Sequence, residues 1–223
     1  MISTYSNYSL MPFLGINMDD KGFDEFKFKK DQLIYCQGSS SLGAYFVKKG
    51  SVKIRKTGSG GKEQIIRISI QGDLLNFTEL AVNMKFNSTS QALEDTTIGF
   101  IEKQVFRKLI NTQNKISEQF ILLLSKELSD AETRIADMAY KPVKARLADA
   151  LINLFNRYNQ KNENLTDSFF ISRKDLACYT GTAKETVNRL LSDFRNEKLI
   201  STTKSKINII DFKGLIALSD LHN

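Results

Sequence analysis

FFISRKDLACYTGTAKETVNRLLSDFRNEKL, residues Phe169–Leu199, has the outline of two short helices joined by a tight turn. Ile171, Leu176 and Ala177 mark a first apolar-periodic stretch, and Tyr179-Thr180-Gly181 supplies the turn. Thr186, Val187, Leu190, Leu191 and Phe194 then recur at helical spacing. That succession predicts a helix-turn-helix. Residues three and four apart share one side of a helix, so Lys184, Glu185, Asn188 and Arg189 fall together on the polar face. Side chains of these types hydrogen-bond base edges in a major groove. The plainer alternative is an amphipathic hairpin with a solvated charged face. Two neighbouring features favour DNA: the segment lies in the more basic part of the chain, and a Lys-rich hairpin follows it.

The charge of the 223-residue chain is uneven. Residues 1–140 carry 18 basic and 16 acidic side chains, a balance of +2, whereas residues 141–223 carry 14 and 9, a balance of +5. A bias of this kind suits a polyanionic partner, whether DNA, RNA or an acidic membrane surface. Apolar content of 41% excludes a mainly disordered chain and allows one large or two modest cores.

Several function classes drop out. No run of about 18 apolar residues is present to span a bilayer, and the start, MISTYSNYSLMPFLGINMDDKGF, lacks the pattern of a secretory signal. A cytoplasmic protein without a membrane partner is expected. Cys36 and Cys178 are too few for a disulfide framework or a cysteine metal cluster, and both are expected to be buried fillers. The single histidine, His222, sits beside the C-terminus, which removes most His-based catalysis and metal chemistry. No Ser–His–Asp set, HExxH or Walker-type GK[ST] is present, so no enzyme, metal site or cofactor is expected.

From Glu25 to Lys103 the chain reads as short strands: Glu25–Phe28, Gln32–Tyr35, Ala44–Val47, Ser51–Lys56, Gln64–Ile70, Thr89–Ala92 and Thr97–Glu102. Gly38, Gly50, the Gly58-Ser59-Gly60-Gly61 run and Gly72-Asp73 punctuate them, which predicts a sandwich, barrel or jelly roll. Gly60-Gly61-Lys62 is read as a hairpin turn in preference to a phosphate loop.

The texture then turns helical over Val105–Met138. Ile121, Leu124, Leu128, Ala131, Ile135 and Met138 follow spacings of 3, 4, 3, 4 and 3, the seam of a parallel helix pair and hence a homodimer. A helix lying on its own β-domain would prefer a wider stripe, and Phe120, Leu122 and Leu123 do widen it at the start. Pro142 ends this helix and suits the first turn of the next, Val143–Tyr158. Gln160–Asp167 reads as a polar loop, Ile200–Ile210 as a two-stranded wing, and Asp211–Leu218 as a closing helix.

In this order the pieces resemble the Crp/Fnr family of bacterial transcription regulators. The echo in the β-region is Gly38, then Tyr45-Phe46-Val47-Lys48-Lys49-Gly50-Ser51-Val52-Lys53-Ile54, then Gly61-Lys62-Glu63 and Gly72-Asp73. The stronger match is Lys184-Glu185-Thr186-Val187-Asn188-Arg189, which looks like the family's reading helix. The resemblance implies an α+β architecture. It would comprise a cyclic-nucleotide-binding-like jelly-roll sensor over residues 1–104, a dimerisation helix over 105–139 and a winged helix-turn-helix over 140–223.

The same similarity places Glu185 and Arg189 at the core base-reading positions, where Arg can bond guanine O6 and N7 and Glu can accept from cytosine N4. A Glu–Arg contact would hold the arginine. Lys184 stands where some members carry a second reading Arg, and Asn188 at a variable reading position. Lys144 and Arg173 match positions near phosphates, with Thr182 and Thr186 as further backbone contacts. Double-stranded DNA, a second copy of the chain and RNA polymerase are the implied partners, with half-sites ~34 Å apart.

The nucleotide cassette departs from the family's pattern. Over Leu75-Asn76-Phe77-Thr78-Glu79-Leu80 and Asn87-Ser88, Phe77 replaces a glutamate and Asn87 an arginine, while Ser88 is kept. Glu79 is two residues out of register, and Ala131-Glu132 stands where cAMP-binding relatives carry Thr-Ser. The expectation is a degenerate pocket of Leu75, Phe77, Glu79, Asn87 and Ser88 that does not take cAMP. Either it is filled by its own side chains, or it holds an unknown small-molecule effector. A sensor acting through protein contacts alone is the alternative outside transcription.

Overall fold

The computed structural model describes residues 23–82, 84–159 and 168–220. The start of the chain, the polar segment Gln160–Asp167 and His222 lie outside the described residues. Contacts divide the chain into two compact units, the boundary falling between Asp130 and Ala131.

In the first unit the expected strands form, each within two residues of its expected ends: β1 (Asp24–Phe28), β2 (Leu33–Tyr35), β3 (Gly43–Lys49), β4 (Ser51–Thr57), β5 (Glu63–Ile70), β6 (Thr89–Ala92) and β7 (Thr96–Glu102). They make two antiparallel sheets, β1-β7-β3 and β2-β6-β4-β5, the two-layered outline of a jelly roll. The Gly60–Gly61 segment is a single 3-10 turn that joins β4 to β5, as its hairpin reading requires.

Close packing depends on one residue without a side chain. Phe46 of β3 lies opposite Gly99 of β7 and is fully buried. A Cβ on Gly99 would fall 2.1 Å from the Phe46 ring, so glycine is what lets that ring lie flat on the strand. Phe46 joins Ala44, Leu74, Phe77, Phe106, Ile116 and Phe120 in one cluster, while Tyr35, Val47, Val52, Ile54, Phe86 and Ile98 form a second.

Outside the second unit's sheet, three features differ from the sequence reading. A short helix, α1 (Phe77–Val82), was not expected. The single helix expected over Val105–Met138 is two, α2 (Lys103–Thr112) and α3 (Asn114–Tyr140), separated by Gln113 in extended conformation. The break has a packing reason. Phe106 and Ile116 both enter the same core, yet residues ten apart on a straight helix lie about 15 Å apart along its axis. Cys36, finally, is exposed just past β2, and Cys178 is half-buried, so neither is the fully buried filler expected.

The second unit is built around α4 (Val143–Asn159), whose Leu147, Leu151 and Leu154 are buried. Around it pack α5 (Arg173–Thr180), α6 (Lys184–Asn196), α7 (Phe212–Ser219) and a three-stranded sheet ordered β8-β10-β9. The wing strands β9 (Ile200–Thr203) and β10 (Lys206–Ile209) were expected. The third strand, β8 (Ser168–Phe170), was not. Asp211 caps α7 by accepting from the Gly214 N–H at 2.9 Å.

Replacement Gly99→Ala is expected to cost about 1–3 kcal/mol by over-packing against Phe46. Urea denaturation of the variant reads this directly; a midpoint equal to that of the unmodified chain would show that the ring has room to shift.

Candidate nucleic-acid interface

Local chemistry fixes the two helices of the motif. Ser172 caps α5: its hydroxyl oxygen accepts from the Asp175 N–H at 3.0 Å, and the same hydroxyl donates to the Asp175 carboxylate at 2.6 Å. Gly181 ends α5 in the left-handed region, at φ 68°, with its N–H bonded to Ala177 O. The Thr182 N–H returns to the same carbonyl at 3.1 Å, which starts the turn into α6.

α6 is divided lengthwise. Val187, Leu190, Leu191 and Phe194 are buried, whereas Lys184, Glu185, Asn188 and Arg189 are exposed and contiguous; Thr186 is half-buried beside them. Burial of four apolar side chains leaves no rotational freedom about the helix axis, so the same four polar residues always face outward.

Cations around this face already have neighbours in the unbound chain. The guanidinium of Arg189 lies 3.7 Å from the Asp193 carboxylate, one turn further along α6. The contact recorded for Arg189 is therefore with Asp193 in place of the expected Glu185. Lys144, on the first turn of α4, pairs with Glu197 at 2.8 Å. Arg173 is half-buried with one terminal nitrogen enclosed and without a hydrogen-bond partner. Burial first, and the Arg195 guanidinium second, hold the Arg173 pKa below its ordinary value. An anion placed there would relieve both penalties.

Sequence reasoning missed two residues of this surface. Arg195 faces Arg173 from the last turn of α6, and Glu197 competes for Lys144. The signal for Glu197 is hard to see in one dimension, since Lys144 is 53 residues away. Arg146 was also passed over. It donates to Met138 O and Lys141 O at 3.2 and 2.9 Å, and to Thr180 O at 3.3 Å, so one cation serves the C-terminal carbonyls of α3 and of α5.

Along α3, Ile121, Leu128 and Ile135 are 61%, 62% and 70% exposed, with Ala131 and Met138 exposed on the same seam. Leu124 is the exception, half-buried against the sensor core. Phe120 and Leu123 are buried in that core, whereas Leu122 is not.

In the first unit, Leu75, Phe77, Glu79 and Ser88 are buried and Asn87 is exposed. Asn76 pins the segment to β3: its side-chain oxygen accepts from the Tyr45 N–H at 3.0 Å, and its amide donates to Ser41 Oγ and Gly43 O at 3.1 and 2.8 Å. Glu79 accepts from the Asn87 N–H at 3.0 Å and the Thr78 hydroxyl at 2.7 Å, so its carboxylate closes its own loop. Tyr35 stacks on Phe86 with ring centroids 4.0 Å apart, and burial pushes its phenol pKa well up. Among the described residues, no group of three or more His, Cys, Asp or Glu could hold a metal ion, and no helix is long and apolar enough to cross a membrane.

Residues 25–113 match the family description "Cyclic nucleotide-binding domain" and residues 145–218 match "Crp-like helix-turn-helix domain". Similar curated proteins include the anaerobic regulatory protein of Haemophilus influenzae, 29% identical over 86% of this chain and 74% of its own length. The transcriptional activator FnrA of Stutzerimonas stutzeri is 26% identical over 86% and 78%. Two solved structures share the fold. FixK2 of Bradyrhizobium japonicum has a TM-score of 0.77 at 22% identity, covering 88% of this chain and 96% of its own. A CRP/FNR-family regulator of Thermus thermophilus has a TM-score of 0.74 at 22% identity, covering 90% and 100%. The chain belongs to the Crp/Fnr family of transcription regulators: it is a DNA-binding regulator with a cyclic-nucleotide-binding-like domain and a helix-turn-helix domain.

Replacement Glu197→Gln removes the carboxylate that competes for Lys144. Affinity for any duplex is expected to rise severalfold, and the salt dependence of log K to steepen by about one phosphate contact. Fluorescence anisotropy over a salt series measures both; an unchanged slope would take Lys144 out of the phosphate set.

Proposed function

We propose that the protein is a homodimeric, sequence-specific transcription regulator that reads a near-palindromic duplex through α6 and is not gated by cAMP. The observation that carries this reading is the division of α6, with four buried apolar residues behind four contiguous exposed polar ones. Lys184, Glu185, Asn188 and Arg189 are the base-reading set, with Arg189 directed at guanine and Glu185 at cytosine of one G·C pair. Lys144, Arg173, Thr182 and Thr186 hold phosphates and set register. Residues 1–104 are the sensor, 105–139 the dimerisation helix and 140–223 the DNA-binding domain.

Dimerisation is supported by the apolar seam of α3. Three large aliphatic side chains more than half exposed at seven-residue spacing are costly in water and are covered when a second α3 packs alongside. The cAMP-independent reading is supported by the cassette. Phe77 lies in the sensor core where a ribose-binding carboxylate is expected, and Asn87 offers no cation for a phosphate. RNA polymerase is the natural further partner of a regulator on a promoter.

Two experiments test this. Random-pool duplex selection is expected to return paired half-sites, each with a G·C pair. Arg189→Ala should then cost about 1–3 kcal/mol on the selected site and relax preference at that pair. Equal affinity and preference in the variant would remove Arg189 from the reading set. Separately, Leu128→Asp with Ile135→Asp is expected to give a folded monomer in sedimentation, with weak affinity for the full site. A dimer of unchanged stability would place the interface elsewhere.

A further inference from the structure

Arg67 is a cation in the interior of the sensor. It lies on β5 opposite Ile54, a buried core residue, and its side chain is only 12% exposed. An apolar residue is the ordinary occupant of such a position, because a buried charge is costly unless fully compensated. Here the compensation comes from two other parts of the same unit. One terminal nitrogen donates to Leu74 O and Leu75 O at 3.3 and 2.6 Å, and the guanidinium lies 4.3 Å from the centroid of the Phe77 ring. The other terminal nitrogen pairs with the Glu127 carboxylate at 3.3 Å, and Glu127 is on α3.

These contacts single out a segment and a helix. Leu74–Phe77 is the beginning of the departed nucleotide cassette, and Glu127 lies on α3 between the seam residues Leu124 and Leu128. A planar cation stacked on an aromatic face, with one terminal nitrogen on two carbonyls and the other on a carboxylate, has three of its five N–H donors engaged, while Nε is enclosed without a partner. Lysine has one nitrogen, so it could not serve the carbonyls and the carboxylate from two separate positions as the guanidinium does.

We infer that Arg67 acts as a built-in effector. Through Phe77, the Leu74–Leu75 carbonyls and Glu127, it fastens cassette to α3 from within the chain and so holds the regulator in its DNA-binding state without a diffusible ligand. Arg67 and Glu127 are positioning residues, since neither touches DNA. The inference rests on the reading of a regulator that cAMP does not gate, and its test separates the two.

The measurement is operator affinity of the full-length dimer without ligand for Arg67→Met, Arg67→Lys, Glu127→Gln and the Arg67→Met/Glu127→Gln double variant, with sedimentation and urea stability recorded for each. Arg67→Met is expected to weaken operator binding about tenfold while the dimer persists, a size typical of coupling between sites. Glu127→Gln should weaken it less, Arg67→Lys should recover part of the loss, and the double variant should bind no more weakly than Arg67→Met. Wild-type affinity in a folded Arg67→Met dimer overturns the inference, as does multiplication of the two single losses in the double variant. A fall in urea stability with unchanged operator affinity also overturns it, because the pair would then be structural only. Should Arg67→Met not fold, Glu127→Gln decides: its side chain is 31% exposed and tolerates neutralisation, so an unchanged affinity there refutes the coupling. Failure of the unmodified protein to bind any duplex, or a rise in its affinity on adding cAMP, would instead sink the functional reading on which the inference stands.

Discussion

Burial of Ile116, Phe120 and Leu123 against the sensor core is the constraint from which the rest follows. These residues lie on one side of α3, and seating them fixes the rotation of the helix about its own axis. Once that rotation is set, Leu124 is carried to the edge of the core and Ile121 and Leu128 are turned out of it. The seam is therefore exposed because of how the sensor packs. The break at Gln113 lets α2 and α3 bring Phe106, Ile116 and Phe120 to one cluster.

The same logic operates in the second unit, with the polar face as the product. Phe194, Leu191, Leu190 and Val187 hold α6 down, and the polar residues between them are left exposed as the proposed reading surface. A helix held by four buried side chains has its backbone already fixed, so only the side chains of its polar face have conformational entropy still to lose. Gly181 and the Ser172 cap set the angle at which that face is offered.

Most of the architecture was legible because its signals are local. The strands alternate and are bounded by glycines, the wing is marked by its polar centre, and the reading helix declares itself by spacing. What was not legible is non-local. β8 is three residues long and becomes a strand only by pairing with β10. α1 carries an apolar run too short to show a period. The exposure of Cys36 depends on where β2 stops, which Tyr35 and its stacking on Phe86 decide. Lys184, Glu185, Asn188 and Arg189 could be seen to share one exposed face because one helix carries them all. Arg67, Arg195 and Glu197 could not be singled out, since each acquires its meaning from a partner on another element.

The carboxylates placed among the cations complete the picture. Asp193 lies by Arg189 and Glu197 by Lys144, so two of the basic groups on this surface are partly neutralised before any duplex arrives. Exposed pairs of this kind contribute little to stability, about 0–1 kcal/mol. If Arg189 and Lys144 meet DNA as proposed, the consequence of these pairs is in binding: a duplex would have to displace them, and only one that offers both a phosphate and a matching base edge would replace what is given up. Random DNA, which offers phosphates alone, gains less. A net charge of +7 would otherwise favour indiscriminate adhesion, and acidic residues set beside the proposed reading cations would convert part of that attraction into selectivity.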